Sequence, residues 1–159
     1  MRHSSSRIVT CGLMILVAAG ASAQTAARAD QPSVDRGRYL VKIAGCNDCH
    51  TPGYAESAGQ VDETQWLTGD LVGFRGPWGT TYPVNLRLYM QGISEKQWMK
   101  AAPSKELRPP MPWFALRDMS AQDLRAIYRY IRQLGPAGEP APAYVPPDQT
   151  PKGPVIQFP

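Results

Sequence analysis

Residues Cys46-Asn47-Asp48-Cys49-His50 decide the fold of this chain. On one turn of an α-helix, positions i, i+3 and i+4 share a face, so the two thiols and the imidazole point in the same direction. The spacing C-x-x-C-H is that of a covalent attachment site for a c-type haem. In such a site Cys46 and Cys49 bind the porphyrin through thioether bonds, and His50 is an axial ligand of the iron. The motif occurs once, so we predict one covalently attached haem c.

Three other interpretations of the motif have less support. A zinc site needs four ligands, and the only other cysteine and histidine of the chain are Cys11 and His3, near the N-terminus. A thioredoxin-like dithiol belongs in a βαβ context, which the flanking sequence does not offer. A disulfide between the two motif cysteines leaves His50 without a role. If no haem binds at all, the chain is an exported thiol protein, and the purified product would be colourless.

The first 23 residues have the pattern of a secretory signal peptide. Arg2 and Arg7 give a positive start, residues 8–19 are mostly apolar, and Ala21-Ser22-Ala23 is a small-residue cleavage site. Because a membrane span needs about 20 apolar residues, the shorter run favours cleavage after Ala23 over a membrane anchor. We therefore expect a periplasmic protein without a membrane span, whose only cysteines are the two of the motif.

The charge of the expected mature chain argues against nucleic acid as a partner. Residues 24–159 contain 15 basic and 13 acidic side chains, a net charge of +2. No run of Lys or Arg is interleaved with aromatic residues, as nucleic-acid binding would require. The sequence leaves the oligomeric state open.

The mature chain divides into three segments by composition. Residues 24–32 form a short polar leader, residues 33–135 contain the periodic segments and the haem motif, and residues 136–159 form a tail with 8 prolines. Proline at this density excludes helix, and the tail lacks the alternation of a strand. Two interpretations of the tail stay open: a disordered extension, or a belt that docks on the domain or on a partner.

Apolar periodicity predicts that the first helix begins after Ser33 and ends near Ala44. Its apolar stripe is predicted to be Tyr39, Leu40, Ile43 and Ala44. Gly37 within this helix lacks a side chain, which favours the close approach of another helix. Residues 52–85 are rich in turn-forming residues and are predicted to be mostly loop.

Two later helices have clear start signals. Ser94 and Gln97 form a capping box for a helix that Pro103 ends. Ser120 caps the last helix, and Gly135 follows its end. The apolar face of this last helix is predicted to consist of Leu124, Ile127, Tyr128, Ile131 and Leu134. On its opposite face, three arginines are predicted to be solvated: Arg125, Arg129 and Arg132.

The second axial ligand of the iron decides between electron transfer and ligand-binding chemistry. The expected mature chain has no second histidine, so the candidates are its methionines, Met90, Met99, Met111 and Met119. Met111 lies in Arg108-Pro109-Pro110-Met111-Pro112-Trp113, where prolines restrict the backbone on both sides. Because a thioether is a weak ligand, an ordered loop helps to hold it on the iron. We therefore predict His50 and Met111 as the axial pair.

Over residues 33–135 the chain resembles the class I c-type cytochromes, which have an N-terminal helix ending in C-x-x-C-H, a loop-borne methionine and a C-terminal helix crossing the first. The resemblance implies a small all-α cytochrome c fold. Three to four helices would surround one haem, with long loops and, here, an extended proline-rich tail. It also implies that Gly37 marks the helix crossing, against the face that carries Tyr128 and Ile131.

Three short segments are similar, more specifically, to the single-haem domains associated with periplasmic dehydrogenases: Leu67-Thr68-Gly69, Gly76-Pro77-Trp78-Gly79-Thr80 and Asn85-Leu86. This similarity implies that the carbonyl of Pro77 accepts the Nδ1 proton of His50. The sequence departs from that pattern at Arg87-Leu88-Tyr89, which replaces a polar turn, so the loop on the propionate side stays undefined.

Candidates for the propionates can still be named. Trp78 and Trp113 are the leading indole N–H donors. Arg75 and Arg87 are candidate ion-pair partners, with ordinary solvated arginines as the alternative.

These features predict an electron carrier without catalytic residues. It would take single electrons from a periplasmic donor, a dehydrogenase, and pass them to an oxidase or another cytochrome in a respiratory chain. The alternative is a five-coordinate haem protein with ligand-binding or peroxidase-like activity, in which Met111 is not on the iron.

Overall fold

A computed structural model describes residues 33–159, so the predicted signal peptide and leader lie outside the described residues. In this part of the chain there are three β-strands and six α-helices, more helices than the three to four predicted. The helices are α1 (33–43), α2 (Cys46–His50), α3 (Leu86–Gln91), α4 (Glu95–Ala101), α5 (Trp113–Asp118) and α6 (Ala121–Leu134). The strands are β1 (Gly73–Gly76), β2 (Gly79–Thr81) and β3 (Val155–Gln157).

The three strands form one sheet in the order β2-β1-β3, so the prediction of an all-α fold is wrong. Phe74 of β1 lies opposite Thr81 in the antiparallel pair and opposite Ile156 in the parallel pair. The strands have three or four residues each, too few to show alternation. One of them, β3, lies in the proline-rich tail, so no local pattern in the sequence predicted the sheet.

Helix α6 buries most of the apolar face that was predicted for it. Leu124, Ile127 and Ile131 are buried along its inner face. The hydroxyl of Ser120 accepts a hydrogen bond from the N–H of Asp123 and caps the helix. At the other end Gly135 adopts φ 72°, a value that glycine reaches without steric cost.

The apolar stripe predicted for α1 is wrong in its phase. Tyr39 is 52% exposed and Ile43 is 59% exposed, and Ala44 is exposed as well. The buried face of α1 consists of Val34, Gly37, Leu40 and Val41. Only Leu40 belongs to both sets, because the packing partner α6 selects a face that lies about 100° round the helix from the predicted one.

Gly37 is the point of closest approach between α1 and α6, which confirms the predicted helix crossing. A Cβ atom on Gly37 would lie 2.0 Å from the carbonyl oxygen of Ala126 and 2.7 Å from Cβ of Tyr130. The contact is therefore made by Ala126 and Tyr130 and not by the predicted face of Tyr128 and Ile131.

Helix α4 begins with the predicted capping box, in which Gln97 accepts from the N–H of Ser94 at 2.8 Å. The arginines of α6 keep much of their exposure, as predicted, and two of them also form ion pairs with α4. Arg125 and Arg129 contact the carboxylate of Glu95 at 2.8 Å and 3.3 Å. These ion pairs join the two helices at their polar edge.

The tail (residues 136–159) docks on the domain, which agrees with the second of the two interpretations, that of a belt. Val145 exchanges two backbone hydrogen bonds with Thr80, at 2.7 Å and 3.0 Å. Further along, β3 pairs with β1, and the N–H of Phe158 donates to the carbonyl of Arg75 at 2.7 Å. Among the described residues, none of the helices has the length and apolar character needed to cross a membrane.

Candidate haem site

Helix α2 presents the C-x-x-C-H motif on a single turn. Gly45 precedes it with φ 72°, a left-handed conformation that turns the chain sharply between α1 and α2. Both thiols are half-buried, and no disulfide joins Cys46 to Cys49. The motif therefore places two cysteines and one imidazole on one short helix.

Burial keeps the thiols in their neutral form. It raises the pKa of Cys46 to about 11, and it also raises the pKa of Cys49. Redox-active dithiols and reactive cysteines need the opposite shift, towards the thiolate. The direction of both shifts thus disfavours a thioredoxin-like role.

His50 has the properties of a metal-binding histidine. Its side chain is almost completely buried, and its Nδ1 lies 2.8 Å from the carbonyl oxygen of Val84. Because a carbonyl only accepts, Nδ1 carries the proton and donates it, so the lone pair is on Nε2. Burial lowers the pKa of the imidazole, although the bond to Val84 acts in the other direction. The ring is therefore neutral at neutral pH, as a metal ligand must be.

The acceptor of the His50 proton is Val84, so the prediction of Pro77 in this role is wrong. Pro77 is exposed in the turn between β1 and β2, whereas the chain returns through β2 and brings Val84 to the imidazole. The acceptor therefore lies seven positions further along the chain than the sequence similarity implied.

A buried hydrogen-bond network, which no pattern in the sequence predicts, fixes α2. The hydroxyl of Thr51 donates to Asn47 Oδ1 and accepts from the N–H of Leu67, both at 2.8 Å. The N–H of Gly69 donates to the carbonyl of His50 at 2.8 Å. Asn47 and Thr51 are among the most buried residues of the described chain. Polar residues with no apolar pattern around them gave no signal of this role.

Met111 differs from the other methionines of residues 33–159. Met90 belongs to the hydrophobic core, and Met99 and Met119 pack against it, whereas Met111 does neither. Its loop is ordered by backbone hydrogen bonds: the N–H of Met111 donates to the carbonyl of Arg108 at 3.3 Å, and its carbonyl accepts from Trp113 at 2.9 Å. The thioether of Met111 thus has no packing role in the core and lies on an ordered loop.

The two arginines named as candidates for the propionates, Arg75 and Arg87, donate to protein carbonyls. Arg75 donates to the carbonyls of Pro147 and Gln149, in the tail, at 3.0 Å and 3.1 Å. Arg75 is therefore not an ordinary solvated arginine, and its pairing with a propionate stays a prediction.

Arg87 is only 5% exposed, and its guanidinium donates to three carbonyls, those of Thr64, Leu134 and Gly135. Two of these carbonyls are at the C-terminal end of α6, where a cation is favoured by the helix dipole. Arg87 therefore caps α6. At Arg87-Leu88-Tyr89 the sequence departs from the pattern of the similar domains. The arginine of this segment is needed to cap the end of α6.

The two tryptophans differ in their environment. Trp78 Nε1 is buried and has no hydrogen-bond acceptor among the described residues. A buried indole N–H without a partner is rare, and a propionate carboxylate would satisfy it. Trp113 begins α5, where its ring contacts Phe114 and the guanidinium of Arg117. Trp78 is thus the better of the two candidates for a propionate.

The donor set fits haem c and does not fit zinc. Within residues 33–159, no group of three or more His, Cys, Asp and Glu side chains converges to hold a metal ion. Two neutral thiols and one neutral imidazole on a single helical turn instead match the two thioether bonds and one axial bond of a covalent haem.

Comparisons with known proteins agree with this fit. The family model of cytochrome c matches residues 34–135, and that family implies covalently bound haem c. The chain is 29% identical, over 159 aligned residues, to the fructose dehydrogenase cytochrome subunit of Gluconobacter japonicus. That alignment covers 89% of this chain and 31% of the relative, so the chain spans about a third of the relative's length. No solved structure matches the chain.

Proposed function

Because this chain belongs to the cytochrome c family, we propose that it is an exported carrier of single electrons with one haem. It takes electrons from a dehydrogenase in the periplasm and passes them to an oxidase or another cytochrome of a respiratory chain. The name of the related dehydrogenase cytochrome subunit supports a donor of this class.

Four residues hold the haem in this proposal. Cys46 and Cys49 provide the thioether bonds, while His50 and Met111 are the axial ligands. The bound haem supplies an iron that alternates between the ferrous and ferric states. The protein keeps His50 neutral and oriented through Val84, and it keeps water away from the imidazole by burial. Because no bond is made or broken in a substrate, no catalytic residues are required.

Two observations support the proposal: His50 is buried and neutral, and Met111 is a methionine that the hydrophobic core does not use. Methionine and histidine together raise the reduction potential of a haem and fill both axial positions. A carrier with both positions filled exchanges electrons with little rearrangement. A haem with one open position would instead bind gases or peroxide.

Substitution of Met111 tests this assignment. We expect Met111→Ala, produced with covalent haem, to lose the weak red-region absorption that methionine sulfur gives on ferric haem, and to bind carbon monoxide readily when reduced. The matched control is Met119→Ala, because Met119 packs against the core and its loss should lower stability without changing the spectrum. If the wild-type protein binds carbon monoxide at neutral pH as readily as Met111→Ala does, the protein is a five-coordinate haem protein and the proposal is wrong.

A further inference from the structure

The tail contacts the neighbour of Val84, which binds one proposed axial ligand, His50, and the loop that carries the other, Met111. Its first part binds the segment that follows Val84, and its middle part binds the loop that precedes Met111. Each contact is made by specific side chains and carbonyls, so each can be removed by a single substitution.

On the histidine side, the contact is made by Asn85. Its Nδ2 donates to the carbonyl of Ala137 at 2.8 Å and to that of Glu139 at 3.1 Å. Asn85 is buried, and its Oδ1 accepts from the N–H of Leu88 and caps α3. The neighbouring residue in the chain is Val84, whose carbonyl accepts the His50 proton. The tail therefore fixes the backbone immediately beside the atom that orients the imidazole.

On the methionine side, the contact is made by Tyr144. Its ring lies 3.9 Å from the guanidinium carbon of Arg108, a short cation–π distance. Its hydroxyl donates to the carbonyl of Trp78 at 2.8 Å, and the absence of a side chain at Gly79 makes room for the ring. The carbonyl of Arg108 in turn accepts the N–H of Met111. Tyr144 thus ties the methionine loop to the turn between β1 and β2.

We propose that the tail is a brace that positions both axial ligands, with Asn85 and Tyr144 as the positioning residues. The inference rests on the proposed function, since it takes His50 and Met111 as the ligands. A thioether binds iron weakly, so the fraction of molecules with the methionine detached depends on how firmly its loop is held. Without the brace, the loop moves more freely and an external ligand replaces Met111 more easily.

The experiment measures the binding of imidazole to the ferric haem protein, which competes with Met111 for the iron. We expect Tyr144→Leu to raise the affinity for imidazole about tenfold, equivalent to about 1.4 kcal/mol, because it removes one hydrogen bond and one cation–π contact. Tyr144→Phe keeps the ring over Arg108 and should give a smaller rise. Ile156→Ala is the matched control, because this exposed tail residue touches neither ligand segment in the contacts described.

A second variant tests the histidine side separately. Asn85→Ser keeps an oxygen that caps α3 but loses the amide that binds the tail. A hydrogen bond from histidine to a carbonyl makes the imidazole a stronger electron donor, so loosening Val84 should raise the reduction potential. The affinity for imidazole should change less than twofold, because Met111 is still held by Tyr144.

The outcomes separate the brace from the proposed function. If the wild-type ferric spectrum lacks the methionine band, the axial assignment fails and the brace fails with it. If that band is present but Tyr144→Leu, Tyr144→Phe and Asn85→Ser all match Ile156→Ala in imidazole affinity and potential, the brace is wrong and the electron carrier stands. Should Tyr144→Leu not fold, Tyr144→Phe and Asn85→Ser decide between these results.

Discussion

The helices and the sheet region of this molecule are stabilised in different ways. Helix α6 buries a continuous apolar face, with Leu124 and Ile131 almost completely removed from solvent. The sheet and the tail bury little aliphatic surface, and all three residues of β3 are exposed. Their contacts are mainly backbone hydrogen bonds, such as the two between Thr80 and Val145. The helices therefore supply most of the folding free energy, because burial of apolar surface is its largest favourable term.

This difference assigns separate tasks to the two regions. The helices hold α2 and the haem motif, whereas in the proposal above the sheet and tail position Val84 and the loop that carries Met111. Substitutions in the helical region should lower global stability. Substitutions in the sheet region should have smaller effects on stability and larger effects on ligation.

The largest expected effect comes from Arg87, which closes the helical region at the end of α6. We expect Arg87→Met to lower the free energy of unfolding by about 4 kcal/mol, because three carbonyls lose their donor and buried groups without partners are costly. Denaturant titration of the haem protein measures this change.

Arg117→Met is the matched control for that variant. Arg117 is exposed and pairs with its neighbour Asp118, so its loss should change stability by less than about 0.5 kcal/mol. A loss below about 1 kcal/mol in Arg87→Met would mean that water replaces the guanidinium and that α6 does not depend on this cap.

A smaller effect is expected in the sheet region, at Phe158. Its ring lies 5.7 Å from that of Trp78 and 6.0 Å from that of Phe74, measured between centroids. We expect Phe158→Ala to cost about 1.5 kcal/mol, through lost burial and two lost aromatic contacts. Ile156→Ala, on the exposed strand β3, should cost less than about 0.5 kcal/mol. Equal losses in the two variants would show that the aromatic contacts do not hold the tail.

The smallest effect is expected from acid, at the surface of the helical region. Glu63 accepts hydrogen bonds from Arg38 at 2.8 Å and from the hydroxyl of Tyr130 at 2.7 Å. The Arg38 guanidinium, followed by the Tyr130 hydroxyl, lowers the pKa of Glu63. Because the folded pKa is below the unfolded one, the stabilisation is complete above the unfolded value, about 4.3, and is lost as the pH falls through the folded value.

Unfolding curves recorded across the acid range test the contribution of Glu63 to stability. Glu63→Gln should flatten the acid limb by less than about 1 kcal/mol, because the partly exposed pair is screened by solvent. An unchanged acid limb in Glu63→Gln would assign the acid sensitivity of the protein to other carboxylates.

Local signals predicted the parts of the fold in which neighbours along the chain decide the structure. The capping box at Ser94 and Gln97 and the cap at Ser120 appear as expected, since both depend on residues three positions apart. The helix crossing at Gly37 was also predictable, because only a missing side chain allows such an approach. The buried face of α1 was not predictable. Several faces of that helix carry apolar residues, and only the packing against α6 selects one of them.

The same distinction between local and distant contacts applies to the candidate haem site. Cys46, Cys49 and His50 follow from spacing on one helical turn, and the choice of Met111 followed from the prolines beside it. The hydrogen-bond partner of His50 could not be predicted from spacing, because Val84 reaches the imidazole only after the chain has passed through β1 and β2. Asn47 and Thr51 were missed for a similar reason, because their hydrogen-bond partners become neighbours only when residues 67–69 fold back on α2.

The sequence by itself determined the haem motif, the helix ends and the proline-flanked methionine, because each is written in residues a few positions apart. Only the tertiary structure decided that Arg87 caps α6, that Val84 orients His50 and that a proline-rich tail completes a sheet. Those three arrangements join segments 34 to 82 positions apart. Backbone carbonyls make most of these contacts, and every residue has a carbonyl, so no residue type marks them in the sequence.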